Sequence, residues 1–134
     1  MGILKWLGLD SGVKKEPVEL NESNFKTEVT QSEIPVLVDI WSPGCAPCAT
    51  LAPTIMRLAG KYDGRIKVAQ LNSQAAPKIT SRLGVRGTPT VLFFKQGRVV
   101  ERVVGVRGQH YYEEIIDEDL LPTEITDNEA RQEG

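Results

Sequence analysis

Scarcity sets the first bounds on this chain of 134 residues. It has two cysteines, one histidine and two tryptophans, and aromatic residues make up 6% of it. Two cysteines are too few for the disulfide framework of a small secreted scaffold. With His110 as the only histidine, Cys45 and Cys48 fall short of the four ligands of a closed zinc site, so no metal is expected. No apolar run approaches the roughly 20 residues needed to cross a bilayer. Excess charge is also missing: 16 Lys and Arg oppose 18 Asp and Glu, a net charge of −2. Lys14-Lys15 is the only adjacent pair of bases, and no basic stripe is interleaved with aromatics, so nucleic-acid binding has little support.

What is present is ordinary for a soluble globular protein, with 40% hydrophobic and 25% charged residues. The length suits one domain with short appendages. We expect an N-terminal extension and linker over 1–17, a domain over 18–121, and an acidic, disordered tail over 122–134. Met1 to Leu9 lacks the continuous apolar core and cleavage pattern of a secretory signal, so cytoplasmic residence is the expectation. Ile3, Leu4, Trp6 and Leu7 would make a short amphipathic turn. Nine residues are marginal as an isolated helix, and membrane contact through 1–9 is not expected. The net charge conceals an asymmetry, because residues 113–134 hold nine acids and one base, leaving +6 on residues 1–112.

Hydrophobic periodicity orders the middle of the chain. Val18–Leu20 reads as a short strand, and Asn21 as the N-cap of a helix from Glu22 to about Thr30, with Phe25 and Val29 on one face. Val36 to Trp41 is a nearly continuous apolar run, suited to a central strand buried on both faces. Ala49 to Tyr62 has helical spacing and carries Pro53, which should kink it. A strand at Ile66–Leu71, a helix from about Ala76 to Leu83, strands at Thr90–Phe94 and Val99–Val104 joined at Gln96-Gly97, and a last helix over 108–121 complete the pattern. Alternating elements imply parallel crossovers and the late hairpin imposes an antiparallel pair. The expected fold is therefore a three-layer α/β/α sandwich around a central mixed sheet.

The chemistry points to Cys45-Ala46-Pro47-Cys48, directly after the buried strand and at the start of a helix. Unpaired backbone N–H groups and the positive end of the helix dipole favour a thiolate there, making Cys45 the candidate nucleophile. Cys48 lies nearly one turn on, where it can resolve a mixed disulfide. Pro47 fits the first turn, where a missing N–H costs nothing. A pair of inert, buried cysteines is the bland alternative. Asp39 stands out in an apolar strand, and burial should raise its pKa. As a structural polar group it would instead be bonded to backbone or water.

The segment from Val36 to Cys48 resembles the active-site segment of thioredoxins, and the likeness continues over residues 18–121. Pro53 falls where that family has its helix-kinking proline, Val68–Asn72 is similar to its third strand, and Val85–Thr90 to its cis-proline loop. Phe93–Gly97 is similar to its hairpin, and Gly105 to its glycine after the last strand. The resemblance implies a thioredoxin fold and protein-disulfide reduction through a Cys45/Cys48 redox pair, with no cofactor beyond that pair. It implies a cis Thr88-Pro89 bond against the cysteines, Asp39 as proton acceptor for Cys48, and a substrate surface of Gly44, Ala46, Pro47, Gly87, Thr88, Val104, Gly105 and Val106. Expected partners are disulfide-containing proteins and a thioredoxin-reductase-like electron donor, with the chain a monomer. Three departures touch the site: Gln70 replaces the lysine usual beside the buried aspartate, Gly44 replaces the usual tryptophan, and Ala46 precedes Pro47 where glycine is commonest. They motivate a second reading, a thioredoxin-fold binding or adaptor module with regulatory or vestigial cysteines.

Overall fold

The structure, a computed structural model, describes residues 14–121. The expectations for residues 1–13 and 122–134, the bulk of the N-terminal extension and the acidic tail, lie outside them. Five strands form one sheet: β1 (Val18–Leu20), β2 (Val36–Trp41), β3 (Lys67–Asn72), β4 (Thr90–Lys95) and β5 (Arg98–Val104). Their spatial order is β1-β3-β2-β4-β5. β3 runs parallel to β1 and β2, whereas β4 is antiparallel to both β2 and β5, the mixed sheet expected from the element order.

Period-2 alternation sorts the central strands onto two apolar clusters. Leu37, Val68, Val91 and Phe93 face one cluster, with Leu51, Ile55 and Leu58 from helix α2 (Ala46–Lys61) and Tyr112 from α4 (Gln109–Ile115). Val36, Val38, Ile40, Ala69, Leu71, Leu92 and Phe94 face the other, with Val29 from α1 (Lys26–Thr30) and Ile79 from α3 (Pro77–Arg82). Each large aliphatic side chain so buried contributes about 1.5–3 kcal/mol. The helices thus lie on both sides of the sheet.

Helix ends differ from the sequence reading in instructive ways. Asn21 does cap, its Oδ1 accepting from the N–H groups of Ser23 (2.8 Å) and Asn24 (2.9 Å). The chain then makes a turn before the wider spiral of α1, which closes by Gln31 N–H donating to Lys26 O, five residues back, at 2.9 Å. α4 likewise continues as a wide spiral over Ile116–Leu120, closed by Leu121 N–H to Ile116 O. α2 begins at Ala46, three residues before its apolar periodicity does, because Cys45 supplies the cap; Pro53 sits within it without ending it. At the β4–β5 hairpin both Gln96 (φ 54°) and Gly97 (φ 79°) are left-handed, as a two-residue loop between twisted strands requires. Gly97 is doubly constrained, since a Cβ there would lie 2.7 Å from the Thr30 carbonyl oxygen.

Candidate active site

β2 delivers the chain to the site. After Trp41, a loop turns through Gly44, whose φ of 76° favours glycine, and ends at Cys45, the N-cap of α2. Cys45 and Cys48 are joined by a disulfide, with Cα atoms 5.3 Å apart. The Cys48 N–H donates to Cys45 Sγ at 3.2 Å, so the helix end aims a backbone donor at this sulfur. Cys48 is buried and Cys45 half-buried, which leaves Cys45 the more approachable of the two. Pro47 occupies the first turn of α2.

Facing the disulfide is the loop before β4. Its Thr88–Pro89 bond is cis, and the Thr88 carbonyl oxygen lies 3.6 Å from Cys45 Sγ. A hydrogen bond of 2.7 Å between the Ser42 and Thr88 hydroxyls ties the two loops together across 46 residues of sequence. The Thr90 hydroxyl donates to Gly87 O at 2.7 Å and tightens the same turn. On the far side, Gly105 N–H donates to Pro89 O at 2.9 Å, which brings the end of β5 alongside. The Tyr112 hydroxyl accepts from Arg107 N–H (3.1 Å) and reaches Gly105 O (3.5 Å), holding the loop after β5. Val104 is 61% exposed and Val106 is exposed too. Of the residues expected to form a surface around the cysteines, Gly44 precedes Cys45 in its loop and Ala46 opens α2, Gly87 and Thr88 stand in the loop before β4, and Val104 ends β5 with Gly105 and Val106 following it.

Beneath the disulfide lies Asp39. It points to the α2 side of the sheet and is 4% exposed, and its Oδ1 has no hydrogen-bond partner among the described residues. Burial pushes its pKa up to about 7. An open cleft of about 300 Å³ connects it to Cys45 and Cys48, with Trp41, Gly44 and Gln70 among its walls. Trp41 Nε1, also unpartnered, is buried in the same region. Gln70 stands in register between Asp39 on β2 and Glu19 on β1, and its Nε2 donates to Glu19 Oε1 at 2.6 Å. The residue beside Asp39 is therefore a neutral amide turned to an outer carboxylate, and desolvation alone accounts for the shift of Asp39.

One cleft is shared by Asp39, Gly44, Cys45 and Cys48, with Thr88 against Cys45 and Gly105 bonded to Pro89. Ser42 carries no local sequence signal, because its partner Thr88 lies 46 residues on. Among the described residues, no group of three or more His, Cys, Asp or Glu is placed to hold a metal ion. No described helix is long and apolar enough to cross a membrane. Two sulfurs joined by one bond, one approachable and one buried, beside a carboxyl whose pKa burial raises, make an arrangement for thiol–disulfide exchange.

Comparison with known proteins agrees. The family model described as Thioredoxin matches residues 16–118. The chain is 42% identical over 108 residues to the chloroplastic M-type thioredoxin of Spinacia oleracea, a match covering 81% of this chain and 60% of that protein. It is 44% identical over 87 residues to thioredoxin 1 of Nostoc sp., covering 65% of this chain and 81% of the relative. With the thioredoxin of Chlorobaculum thiosulfatiphilum it shares 39% identity over 102 residues, 76% of this chain and 94% of the relative. Matched over most of its length by the family model and by these relatives, the chain belongs to the thioredoxin family.

Proposed function

We propose that this protein is a thiol–disulfide oxidoreductase that reduces protein disulfides through Cys45 and Cys48. In the reduced state, Cys45 Sγ is held as a thiolate by the Cys48 N–H and the N-terminus of α2. It attacks one sulfur of a substrate disulfide, forming a mixed disulfide while the other substrate sulfur leaves as a thiolate and takes up a proton. Cys48 then yields its proton to Asp39 and attacks Cys45 Sγ. The second substrate sulfur departs as a thiolate and takes up the proton held by Asp39, and the Cys45–Cys48 disulfide seen here is formed. Two electrons pass to the substrate, and an external dithiol reductase returns them, with no resident cofactor. A carboxyl with a pKa near 7 can accept and return a proton at neutral pH. The Thr88 backbone, beside the cis bond, lines up an extended substrate segment as a short added strand.

The disulfide at the N-terminus of α2, opposite the Thr88 carbonyl, is the observation that carries this reading. Residues 18–121 form the exchange unit, working as a monomer, and the cytoplasm is a compartment reducing enough to keep its thiols available. The test is insulin reduction with dithiothreitol as electron source. The full chain accelerates precipitation of the insulin B chain, and Cys45→Ser returns the rate to background. Equal turnover by the variant would remove Cys45 as nucleophile, and slow reduction with tight, redox-independent capture of a partner would point to an adaptor instead.

A further inference from the structure

The charge around the disulfide has a one-sided distribution. The segments that enclose it, 42–49, 72–77, 84–90 and 104–108, contain just two charged residues, Arg86 and Arg107, and no carboxylate. Both are exposed, one on the loop that carries Thr88 and the other on the loop that follows β5. Arg86 is two residues before Thr88, whose carbonyl meets Cys45 Sγ, and Arg107 is two residues after Gly105, whose N–H binds Pro89 O. The ion pairs formed among the described residues use Lys15, Lys61, Lys67 and His110, and none of them engages either arginine. The Arg107 guanidinium rests over the Tyr111 ring, 5.3 Å from its centroid, which steadies the side chain without neutralising it. On the Arg86 side the positive field extends outward. Arg102 spans from β5 to donate to Leu83 O at 2.7 Å, and its guanidinium is likewise in no ion pair. The acids of α4 and its continuation, Glu113 to Asp119, follow farther along the chain, past the loop that carries Arg107.

We propose that the exchange face selects acidic protein partners, with Arg86 and Arg107 binding carboxylates that flank the target cysteine in an extended segment laid across the disulfide. This builds on the reading of Cys45 and Cys48 as an exchange centre. Exposed guanidiniums that enter no ion pair among the described residues, on two loops next to the disulfide, reward carboxylates and repel bases, and bidentate geometry suits arginine to that role.

Two disulfide-bridged peptides that differ only in Glu or Gln beside the cysteines provide the test. The pre-reduced full chain should reduce the Glu peptide about tenfold faster at low ionic strength, the lower end of electrostatic steering. Near 1 M salt, where the Debye length is about 3 Å, the advantage should vanish. Arg86→Gln with Arg107→Gln should abolish it too, while leaving reduction of the uncharged hydroxyethyl disulfide at the wild-type rate. Equal rates for both peptides, or a preference that survives in the double variant, would overturn the proposal. So would a preference that emerges only after removal of residues 122–134, which would make the chain's own acidic terminus the occupant. Failure to reduce even hydroxyethyl disulfide would instead strike at the exchange reading. In that event, titration with the same peptides carrying Ser for Cys still decides the charge preference: tighter binding of the Glu form supports it, and equal binding overturns it.

Discussion

Val36, Val38 and Ile40 point from β2 toward α1 and α3, while Leu37, Asp39 and Trp41 alternate with them toward α2. The first set is wholly apolar and fully buried. The second begins with an equally buried leucine and ends with a carboxyl oxygen and an indole N–H that have no hydrogen-bond partner among the described residues. One strand thus serves two purposes at the same time: one face supplies cohesion, and the other gives up some cohesion toward its end, where the disulfide lies. The comparison teaches that the destabilising groups are confined to one face and one end, so the rest of the strand can hold them in place.

Neighbouring substitutions should break this contrast in opposite directions. Asp39→Asn gives the largest effect. The carboxyl has its ordinary pKa of 3.8 when unfolded and about 7 when folded, so folding disfavours its ionisation. Its stabilising contribution is whole below about pH 4 and is lost as pH rises through 7. At about 1.4 kcal/mol per pKa unit, the loss above pH 7 is roughly 4 kcal/mol. Denaturant melts of the oxidised protein should show wild type losing stability across that window, with Asp39→Asn flat and more stable at pH 8. Parallel curves would mean that Asp39 titrates as though solvated. The same variant should slow release of the mixed disulfide near neutral pH. Ile40→Ala, one residue on and facing the other way, should destabilise by about 3 kcal/mol at every pH and leave the pH profile of exchange unchanged.

Smaller substitutions sharpen the contrast at the rim of the site. Gly44 and Gly97 share a left-handed backbone, but a Cβ at Gly44 meets nothing within 4 Å, whereas at Gly97 it strikes the Thr30 carbonyl. Gly44→Ala should cost about 1 kcal/mol, from backbone conformation alone, and Gly97→Ala visibly more in the same melt. Gln70→Lys should have the smallest effect on stability. An ammonium beside Asp39 favours the ionised carboxyl, so Asp39 should titrate at lower pH and part of the stability lost above pH 7 should return. Carboxyl NMR shifts of Asp39 would read this directly.

Local pattern was enough to read the five strands, the order of elements and the cysteine pair, because each rests on short-range periodicity or on spacing in the chain. Ends were read less well. The helical spacing of α2 reads from Ala49, but its first turn is set by the Cys45 cap, and the wide spirals of α1 and the end of α4, which bury Val29, Ile116 and Leu120, have no local signature. Asp39 was legible as an intruder in an apolar strand. The Ser42–Thr88 bond was not, since it joins loops that only the folded sheet brings together. Gln70 was noticed as a departure, but its attachment to Glu19 depends on the β1–β3 register.

The disulfide spans a sequence separation of only three residues. In the chain-entropy account, closing so small a ring removes about 2 kcal/mol of freedom from the unfolded chain, against nearly 5 for a loop of a hundred residues. Opening the bond therefore loosens the unfolded ensemble only slightly, and a net stability of about 5–15 kcal/mol can absorb it. The dithiol and disulfide forms can both remain folded, so the protein can be emptied of electrons and refilled many times without unfolding between turns.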